Sequence, residues 1–550
     1  MDDQPTEGRD TPLPFTNMAI SLSGGGFRAT AFHLGALSYL DQRRYKTKTL
    51  LENVSIISTI SGGTLTGIMY ALKLAKGGNF ADCFDTLYNR LKENQLVDLA
   101  LKKLNTPQQW KNTAKTRDLI NAFAEVYNEE FFDEATFDTL YQDQQTHLQN
   151  AIFGASEFTY GTQFRFQESD GAGRFGNNYL KITKRAAAEV RLADAAAASS
   201  CFPGGFEPMI MPTDFGNGPG SAVEKAWFER PNDRPPYPVT AIMDGGVIDN
   251  QGIEGVKLVE SRSRSGGKPF IGTFLISDVS ADSMIPYAVP QLKPGGYKNL
   301  LTLRLINRMG SLLALLIGAL LLFGILPKIG VIVSTVILTL LGIWFLGYFF
   351  VNRAIVNEIT SVFGTSRAAQ LIQHLQVLKK TPLYILIYLL KFRATSMVKM
   401  TSDIFLRRIR QLQLRDLYGS DDWNYRIKAN NIYSLSKAGN SLPKAMQEII
   451  ASANAMPTTL WFSDADVQQN KLDQLIACGQ FTMCYNLINY IDRLQRKNRR
   501  RDVWGTLEKQ QQQQLLELQA DMQKDWVRFE ENPYWMLQRY RDNTPAPAFA

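Results

Sequence analysis

The pattern of apolar and polar positions begins with short apolar runs that end at glycine clusters. The run Met18–Leu22 leads into Gly24-Gly25-Gly26, and the β-branched run Val54–Ile60 leads into Ser61-Gly62-Gly63. After each cluster, apolar residues recur with helical spacing. These helical segments are Ala29–Leu40 and Leu65–Leu74. Strand, glycine turn and helix thus occur twice within about 60 residues, which predicts an α/β protein with a largely parallel sheet.

Weaker patterns of the same kind follow along the chain. Residues 80–150 are predicted to be mainly helical. The further candidate strands are Phe164–Phe166, Tyr179–Thr183, Pro238–Met243, Phe270–Ile276 and Asn431–Leu435. The further candidate helices are Ala186–Ser200, Ala368–Arg410 and Leu472–Tyr490. Within the second of these helices, the apolar stretch Leu383–Leu390 is too short to cross a membrane. It fits a membrane-surface segment and an amphipathic core helix equally well.

Two long charge-free runs interrupt this pattern. Met309–Leu326 has 18 residues without a charge and Ile329–Val351 has 23, and only Pro327-Lys328 lies between them. Each run is long enough to cross about 30 Å of hydrocarbon, whereas one continuous helix would be about twice too long. The sequence therefore predicts a transmembrane helical hairpin, with a buried hairpin of a soluble protein as the alternative.

Basic residues lie on both outer flanks of the predicted hairpin. They are Lys293, Lys298, Arg304 and Arg308 before it, and Arg353, Arg367, Lys379 and Lys380 after it. Because positive residues favour the cytoplasmic side, both flanks and the soluble parts are predicted to be cytoplasmic. The chain is thus expected to be a multi-pass membrane protein.

Composition narrows the range of partners. The 550 residues carry a net charge of +8, which suits nucleic acid or anionic lipid. Lipid is favoured, and nucleic acid is not expected, because no nucleic-acid motif accompanies the membrane segment. The four cysteines form no C-x-x-C pair, so a zinc site is not expected and a reducing compartment is the simpler interpretation.

Three glycine-rich segments carry what acyl transfer needs, namely a nucleophile, a base and donors for the oxyanion. Ser61 stands on a strand-to-helix turn, a setting that exposes a side chain. Gly24-Gly25-Gly26 can bring N–H groups close to an anion. Asp244 ends a predicted strand ahead of Gly245-Gly246. Each segment has an ordinary alternative: a helix cap, a nucleotide-binding loop or an Asp-Gly turn.

Two further observations bear on the chemistry. Arg28 follows the first glycine cluster and is close enough to hold a phosphate, although a surface charge in a first helical turn is the alternative. The cluster lacks the P-loop lysine pattern, which disfavours nucleotide binding. The chain has three histidines, His33, His147 and His374, and none is placed to complete a Ser-His-Asp triad.

Taken in order, these segments resemble the patatin-like phospholipase family, which is related to the cytosolic phospholipase A enzymes. That family has a glycine-rich oxyanion loop followed by Arg or Lys, then G-x-S-x-G, then Asp-Gly-Gly or Asp-Gly-Ala. The matching residues are Gly24, Gly25, Gly26, Arg28, Ser61, Gly63, Asp244 and Gly245. A fourth trait, Ala-Ser-x-x-x-Pro, is matched by Ala198–Pro203.

The resemblance implies a three-layer α/β/α fold with a mainly parallel central sheet. It implies a lipid acyl hydrolase that cleaves phospholipids or lysophospholipids through an acyl-enzyme, with no metal and no cofactor. The implied site residues are Ser61 and Asp244 as a catalytic dyad, Gly24, Gly25, Gly26 and Gly62 as the oxyanion hole, and Arg28 on the substrate phosphate. A Ser-Asp dyad needs no histidine.

Two residues depart from the family pattern. Thr59 stands where the first glycine of G-x-S-x-G is usual, which could loosen the turn, and Ser23 stands where many members have Asp. Neither departure removes a reacting group. The rival interpretation is a membrane scaffold or sensor with an inactive hydrolase fold, and Thr59 is the one feature in its favour.

The domain prediction follows from these patterns. Residues 1–16 are a disordered lead, 17–290 the catalytic domain, 309–351 the transmembrane hairpin, 352–425 a basic membrane-proximal region, 426–495 a return to the catalytic domain, and 496–550 a charged, glutamine-rich tail. For the tail, a solvated helix and an oligomerising segment are both open.

Overall fold

The computed structural model describes residues 12–542 apart from 111–113, 143–145, 170–174, 229–238, 265–269, 281–288, 290, 293–295, 297–299, 326, 437–440 and 497–501. The chain divides into two compact units. The first comprises Met1–Met284 with Ile404–Ala550, and the second comprises Ile285–Asp403. Most of the predicted disordered lead therefore lies outside the described residues.

The first unit is built on one large sheet and a small hairpin. The strands are β1 (Met18–Leu22), β2 (Arg44–Tyr45), β3 (Lys48–Thr49), β4 (Val54–Ile60), β5 (Asn150–Glu157), β6 (Thr162–Ser169), β7 (Phe175–Gly176), β8 (Lys181–Ile182), β9 (Met209–Met211), β10 (Thr240–Asp244), β11 (Phe274–Asp278) and β12 (Ile427–Asn431). Strands β2 and β3 form the hairpin, and the other ten form the sheet.

The centre of the large sheet is parallel. Its order is β12-β11-β1-β4-β5, with every neighbouring pair parallel. Beyond β5, strands β6, β7 and β8 continue antiparallel, and β10 pairs antiparallel with both β5 and β9. The prediction of an α/β fold with a mainly parallel central sheet is confirmed.

Twenty-one helices surround this sheet or form the second unit. They are α1 (Gly26–Asp41), α2 (Gly62–Ala75), α3 (Phe80–Glu93), α4 (Leu96–Asn105), α5 (Leu119–Val126), α6 (Phe137–Tyr141), α7 (Lys184–Ala187), α8 (Leu192–Ser200), α9 (Ala222–Phe228), α10 (Gly246–Asp249), α11 (Ile253–Ser263), α12 (Leu303–Leu322), α13 (Lys328–Leu378), α14 (Leu383–Lys399), α15 (Leu406–Gly419), α16 (Lys444–Ala455), α17 (Asp464–Gln468), α18 (Lys471–Gln495), α19 (Val503–Thr506), α20 (Lys509–Glu531) and α21 (Trp535–Arg541) in the described part of the chain.

The sheet buries both faces under helices, because neighbouring residues of a strand point to opposite sides. On one face, Ala19 and Ile56 pack with Ile253 and Val256 of α11. On the other face, Ile20 belongs to the larger core that α1, α2 and α18 share. The result is the three-layer α/β/α arrangement that the sequence predicted.

Strand β12 shows where the second unit is inserted. It pairs in parallel with β11, Phe274 opposite Ile427 and Asp278 opposite Asn431. The chain between these two neighbouring strands contains the whole of the second unit. The insertion therefore lies in a crossover connection and leaves the sheet continuous.

The second unit consists of the helices α12, α13 and α14. The indole of Trp344 in α13 donates to the side-chain oxygen of Asn307 in α12 at 3.0 Å, and this joins the two helices as a hairpin. Two stretches, Leu303–Leu322 and Gly330–Asn357, are long and apolar enough to cross a membrane, and only 6% of an 18-residue apolar window in each is buried. Helix α13 runs 51 residues, well past the end of the apolar run.

Two strand predictions differ from the structure. The strand predicted at Asn431–Leu435 instead ends at Asn431. Its position is set by pairing with β11, and the apolar residues after it form a turn. Strand β5 was not predicted, since no element was assigned between residue 150 and Phe164; Asn150–Glu157 is a fully buried strand.

Candidate active site

Ser61 occupies a sharp turn between β4 and α2. Its backbone has φ 52° and ψ −122°, a conformation that non-glycine residues rarely adopt. The side chain is only 7% exposed. A strained strand-to-helix turn of this kind is how hydrolases present a nucleophilic serine.

Strand β5 brings Ser61 and Asp244 together. Its residue Gly154 lies opposite Ile60, the last residue of β4, and its next residue Ala155 lies opposite Asp244. Strands β4 and β10 thus occupy successive parts of one edge of β5. Two residues from distant parts of the chain meet there because both strands end at the same level of the sheet.

The Asp244 carboxyl is buried but hydrogen bonded. The N–H of Gly246 donates to Asp244 Oδ1 at 2.6 Å. Burial raises the pKa of Asp244 to about 6, although the hydrogen bonds from Gly246 and from the Ser61 side chain and the positive charge of Arg410 act in the opposite direction. A carboxyl with this pKa is ionised at neutral pH and still basic enough to accept a proton.

The first glycine cluster lies directly against the Ser61 turn. A Cβ atom on Gly24 would stand 3.0 Å from Ser61 Cβ, and one on Gly62 would collide with the backbone of Gly26. Gly26 and Gly62 are the first residues of α1 and α2, so their N–H groups have no intrahelical acceptor. Neither helix has an acidic residue in its first turn. Two positive helix ends therefore meet beside Ser61.

The N–H groups of this cluster are not equivalent. The Gly24 N–H donates to the carbonyl oxygen of Asn250 at 2.9 Å, and the Phe27 N–H donates to that of Thr459 at 2.7 Å. Gly25 and Gly26 lie between these two residues, and within the described part of the chain the N–H group of each has no acceptor. Gly24 thus contributes close packing against Ser61, while the N–H groups of Gly25 and Gly26 remain available as hydrogen-bond donors.

Arg28 lies inside the protein, 5% exposed. Its Nη1 donates to the carbonyl oxygen of Met456 at 2.7 Å, and its Nη2 donates to that of Val279. Burial, together with the nearby charge of Arg410, lowers the pKa of Arg28 to about 10. The guanidinium ties α1 to two loops, and its assignment to a substrate phosphate stays a prediction.

Thr59, the departure from the family pattern, is fully buried in β4. Its hydroxyl donates to Thr64 Oγ1 at 3.1 Å, and Thr64 in turn is 2.9 Å from Ser199 Oγ. Ser199 accepts the Ser61 N–H at 2.8 Å and donates to the Gly154 carbonyl at 2.6 Å. Thr59 therefore belongs to a network of hydroxyl groups that holds the turn.

The histidines that the structure describes with their side chains are engaged elsewhere. His33 is fully buried, with Nε2 3.0 Å from the Ser23 carbonyl oxygen and Nδ1 3.0 Å from Ser277 Oγ. His147 is 2.8 Å from the Tyr70 hydroxyl. Burial lowers the pKa of both to about 4, so both are neutral at pH 7.

Sequence reasoning missed two residues that shape this site. Ser199 was noted only as part of the Ala-Ser-x-x-x-Pro stretch, and Asn250 was not singled out. Asn250 is buried, and its side-chain oxygen would be 2.4 Å from a Cβ atom on Gly24 and 3.0 Å from one on Gly246. The Asp-Gly-Gly segment six residues upstream was the available signal, because a tight turn places such a side chain back over the turn. Among the described residues, no group of three or more His, Cys, Asp or Glu side chains could hold a metal ion.

Comparison with known proteins gives one family match. Residues 20–256 match the family model described as Patatin-like phospholipase. The match begins within β1, includes both glycine turns and the Asp244 segment, and ends within α11. No curated protein matches the chain.

Proposed function

We propose that this chain, whose residues 20–256 match the model of the patatin-like phospholipase family, hydrolyses the carboxylic esters of phospholipids or lysophospholipids with Ser61 and Asp244 as a catalytic dyad. The observation that carries the proposal is the register of β5. It holds a strained serine and a buried, ionised carboxylate at adjacent positions of one strand edge.

The proposed reaction needs only these two side chains. Asp244 accepts the hydroxyl proton as Ser61 Oγ attacks the ester carbonyl carbon. The tetrahedral intermediate collapses to an acyl-Ser61, and the leaving alcohol takes the proton from Asp244. Water then attacks the acyl group and gives one proton to Asp244. The fatty acid departs, and Ser61 Oγ recovers that proton.

The developing oxyanion is assigned to the glycine cluster and the start of α2. The N–H groups of Gly25 and Gly26, with that of Gly62, are the donors at the two converging helix ends. Gly24 completes this oxyanion site by allowing the loop to approach Ser61, since a side chain there would displace it. Because these residues are glycines, no side chain of the cluster occupies the space that the ester carbonyl of the substrate must enter.

The membrane is the proposed source of substrate. The two apolar helical stretches suit a hairpin that spans a bilayer, with the hydrolase unit on the cytoplasmic side as the basic flanks predict. Tethering keeps the enzyme next to its lipid, so that it need not partition from solution in each cycle.

The decisive experiment replaces the two reacting groups in the purified full chain. Ser61→Ala and Asp244→Asn should each lower kcat on a chromogenic acyl ester by about 1,000-fold or more. When two residues act as a unit in catalysis, replacing either one removes most of the rate enhancement. In the wild type, a fluorophosphonate probe should label the peptide that contains Ser61.

Ser261→Ala is the matched control, since Ser261 is exposed on α11 and donates only to the Leu258 carbonyl. It should retain wild-type kcat. Equal activity of wild type and Ser61→Ala would contradict the proposal. An inactive wild type with no probe labelling would favour the scaffold interpretation instead.

A further inference from the structure

A cationic side chain from outside the patatin-like domain reaches this site. Arg410 lies on α15, which begins three residues after the end of the second unit. Its Nε is 3.9 Å from Asp278 Oδ1, and its side chain is 16% exposed. This distance joins two charges but is too long for a hydrogen bond.

Helix α15 is fastened to the loop that follows Asp244. It packs against α10, which begins at Gly246. Gln413, three residues after Arg410, gives a side-chain hydrogen bond to Asp249 at the end of α10. Residues three apart share a helix face, so Arg410 lies on the face that is turned to the catalytic loops.

The carboxylate beside Arg410 already has its hydrogen bonds. Asp278 accepts from Gln251 Nε2 at 2.7 Å, from the Ser280 N–H at 2.9 Å and from Ser280 Oγ at 2.5 Å. Its neighbour Val279 packs against Gly25. The charge of Arg410 thus lies beside the loop that flanks the oxyanion cluster.

Arg410 has a donor that its neighbours leave unused. Its buried Nε has no hydrogen-bond partner in the part of the chain that the structure describes. Buried polar atoms are nearly always paired, and this nitrogen is a donor that the surrounding described residues do not use. Arg28, by contrast, donates hydrogen bonds from its two terminal nitrogens to the carbonyl groups of Met456 and Val279.

We propose that Arg410 receives the phosphate of the phospholipid or lysophospholipid substrate and makes the site selective for phosphate-bearing acyl esters. The guanidinium offers a planar pair of donors that matches a phosphate. This inference rests on the proposed hydrolase function. Its positive charge also lowers the pKa of Asp244, so it supports the base as well as the substrate.

The test compares two substrates in the purified full chain. One is a lysophospholipid in nonionic micelles, and the other is a p-nitrophenyl ester of a medium-chain fatty acid, which has no phosphate. Arg410→Gln should lower the ratio of kcat/KM for the lysophospholipid to that for the p-nitrophenyl ester by about tenfold or more, chiefly through KM, because a charge-assisted hydrogen bond is lost. Arg410→Lys should lower the same ratio by a smaller factor.

Arg415→Gln is the matched control, because Arg415 is exposed on the same helix and the change in charge is identical. It should leave the ratio at its wild-type value. Should Arg410→Gln fail to fold, Arg410→Lys decides, since it keeps the charge but not the paired donors. A ratio unchanged in the Arg410 variants, or an equal loss on both substrates, overturns the proposal. Hydrolysis that depends on Ser61 in those same assays would leave the hydrolase proposal standing, so the two failures are distinguishable.

Discussion

At the residue scale, the candidate base illustrates how burial and hydrogen bonding oppose each other. Asp244 ends a strand inside the protein, and burial alone would favour its neutral form. The Gly246 N–H, the Ser61 hydroxyl and the Arg410 charge partly restore the ionised form. The balance leaves the pKa of this carboxyl near 6, about two units above the ordinary value of 3.8.

This pKa predicts the acid limb of the pH profile. The base must be ionised, so kcat/KM should fall about tenfold per pH unit below a midpoint near 6, and should be level above pH 7. An unperturbed aspartate would place that midpoint near 4. Measurement of kcat/KM on the uncharged p-nitrophenyl ester from pH 4 to 8 tests this, with circular dichroism at each pH to exclude acid unfolding. A midpoint below 5 in folded protein would refute it.

At the scale of elements, the end of α8 holds the turn between β4 and α2. Ser199 accepts the Ser61 N–H and donates to Gly154 of β5. It therefore ties three elements at the one place where the backbone is strained. A buried hydroxyl with this role is a structural support for the nucleophile and not a reacting group.

Loss of this hydroxyl should affect both stability and turnover. Ser199→Ala removes the acceptor of the Ser61 N–H and the hydroxyl donor to the Gly154 carbonyl, which should cost about 1–3 kcal/mol of unfolding free energy and lower kcat. Ser200→Ala is the control, since that neighbouring hydroxyl bonds to Ala196 and Ala197 of its own helix and to the Tyr127 side chain, and not to the Ser61 turn. Urea unfolding and kcat on the p-nitrophenyl ester provide the comparison. Equal effects of the two changes would show that Ser199 does not hold the turn.

The elements also show how far sequence reasoning reaches. Strands β1 and β4 were predictable because β-branched and apolar residues run directly into glycine turns. Strand β5 was not, because Asn150–Glu157 contains Asn, Gly, Ala, Ser and Glu, which have weak strand preference. Its strand state comes from pairing along both edges, with β6 on one side and β4 and β10 on the other. The sequence therefore indicated Ser61 and Asp244 separately, while the strand that joins them became visible only in three dimensions.

Arg410 was hidden for a related reason. It lies far from the motif residues in sequence, in a segment predicted to be a basic membrane-proximal region. The basic composition of that region does not distinguish one of its arginines from another. Only the packing of α15 on α10 distinguishes the one beside Asp278 from those facing solvent.

At the scale of the whole molecule, the second unit, with its two apolar stretches, is inserted into the chain of the first unit. The second unit enters between neighbouring strands β11 and β12, so the sheet can form without it. Its two apolar stretches keep most of their surface uncovered, as helices that meet lipid do. The first unit is thus built from two discontinuous segments, and the two apolar stretches lie in the crossover that connects them.

The hairpin topology makes a prediction about sidedness. If both flanks are cytoplasmic, the Pro327-Lys328 turn lies on the opposite side of the membrane from the hydrolase unit. A single cysteine at the turn, Lys328→Cys, should react with a membrane-impermeant maleimide in intact spheroplasts. The matched variant Lys509→Cys, at the exposed start of α20, should react only after permeabilisation. The wild type is the control, because Cys83, Cys201, Cys478 and Cys484 are all buried and burial raises the pKa of each thiol, which keeps them unreactive. Labelling of both variants in intact spheroplasts, or of neither variant before permeabilisation, would contradict a hairpin that crosses the bilayer twice.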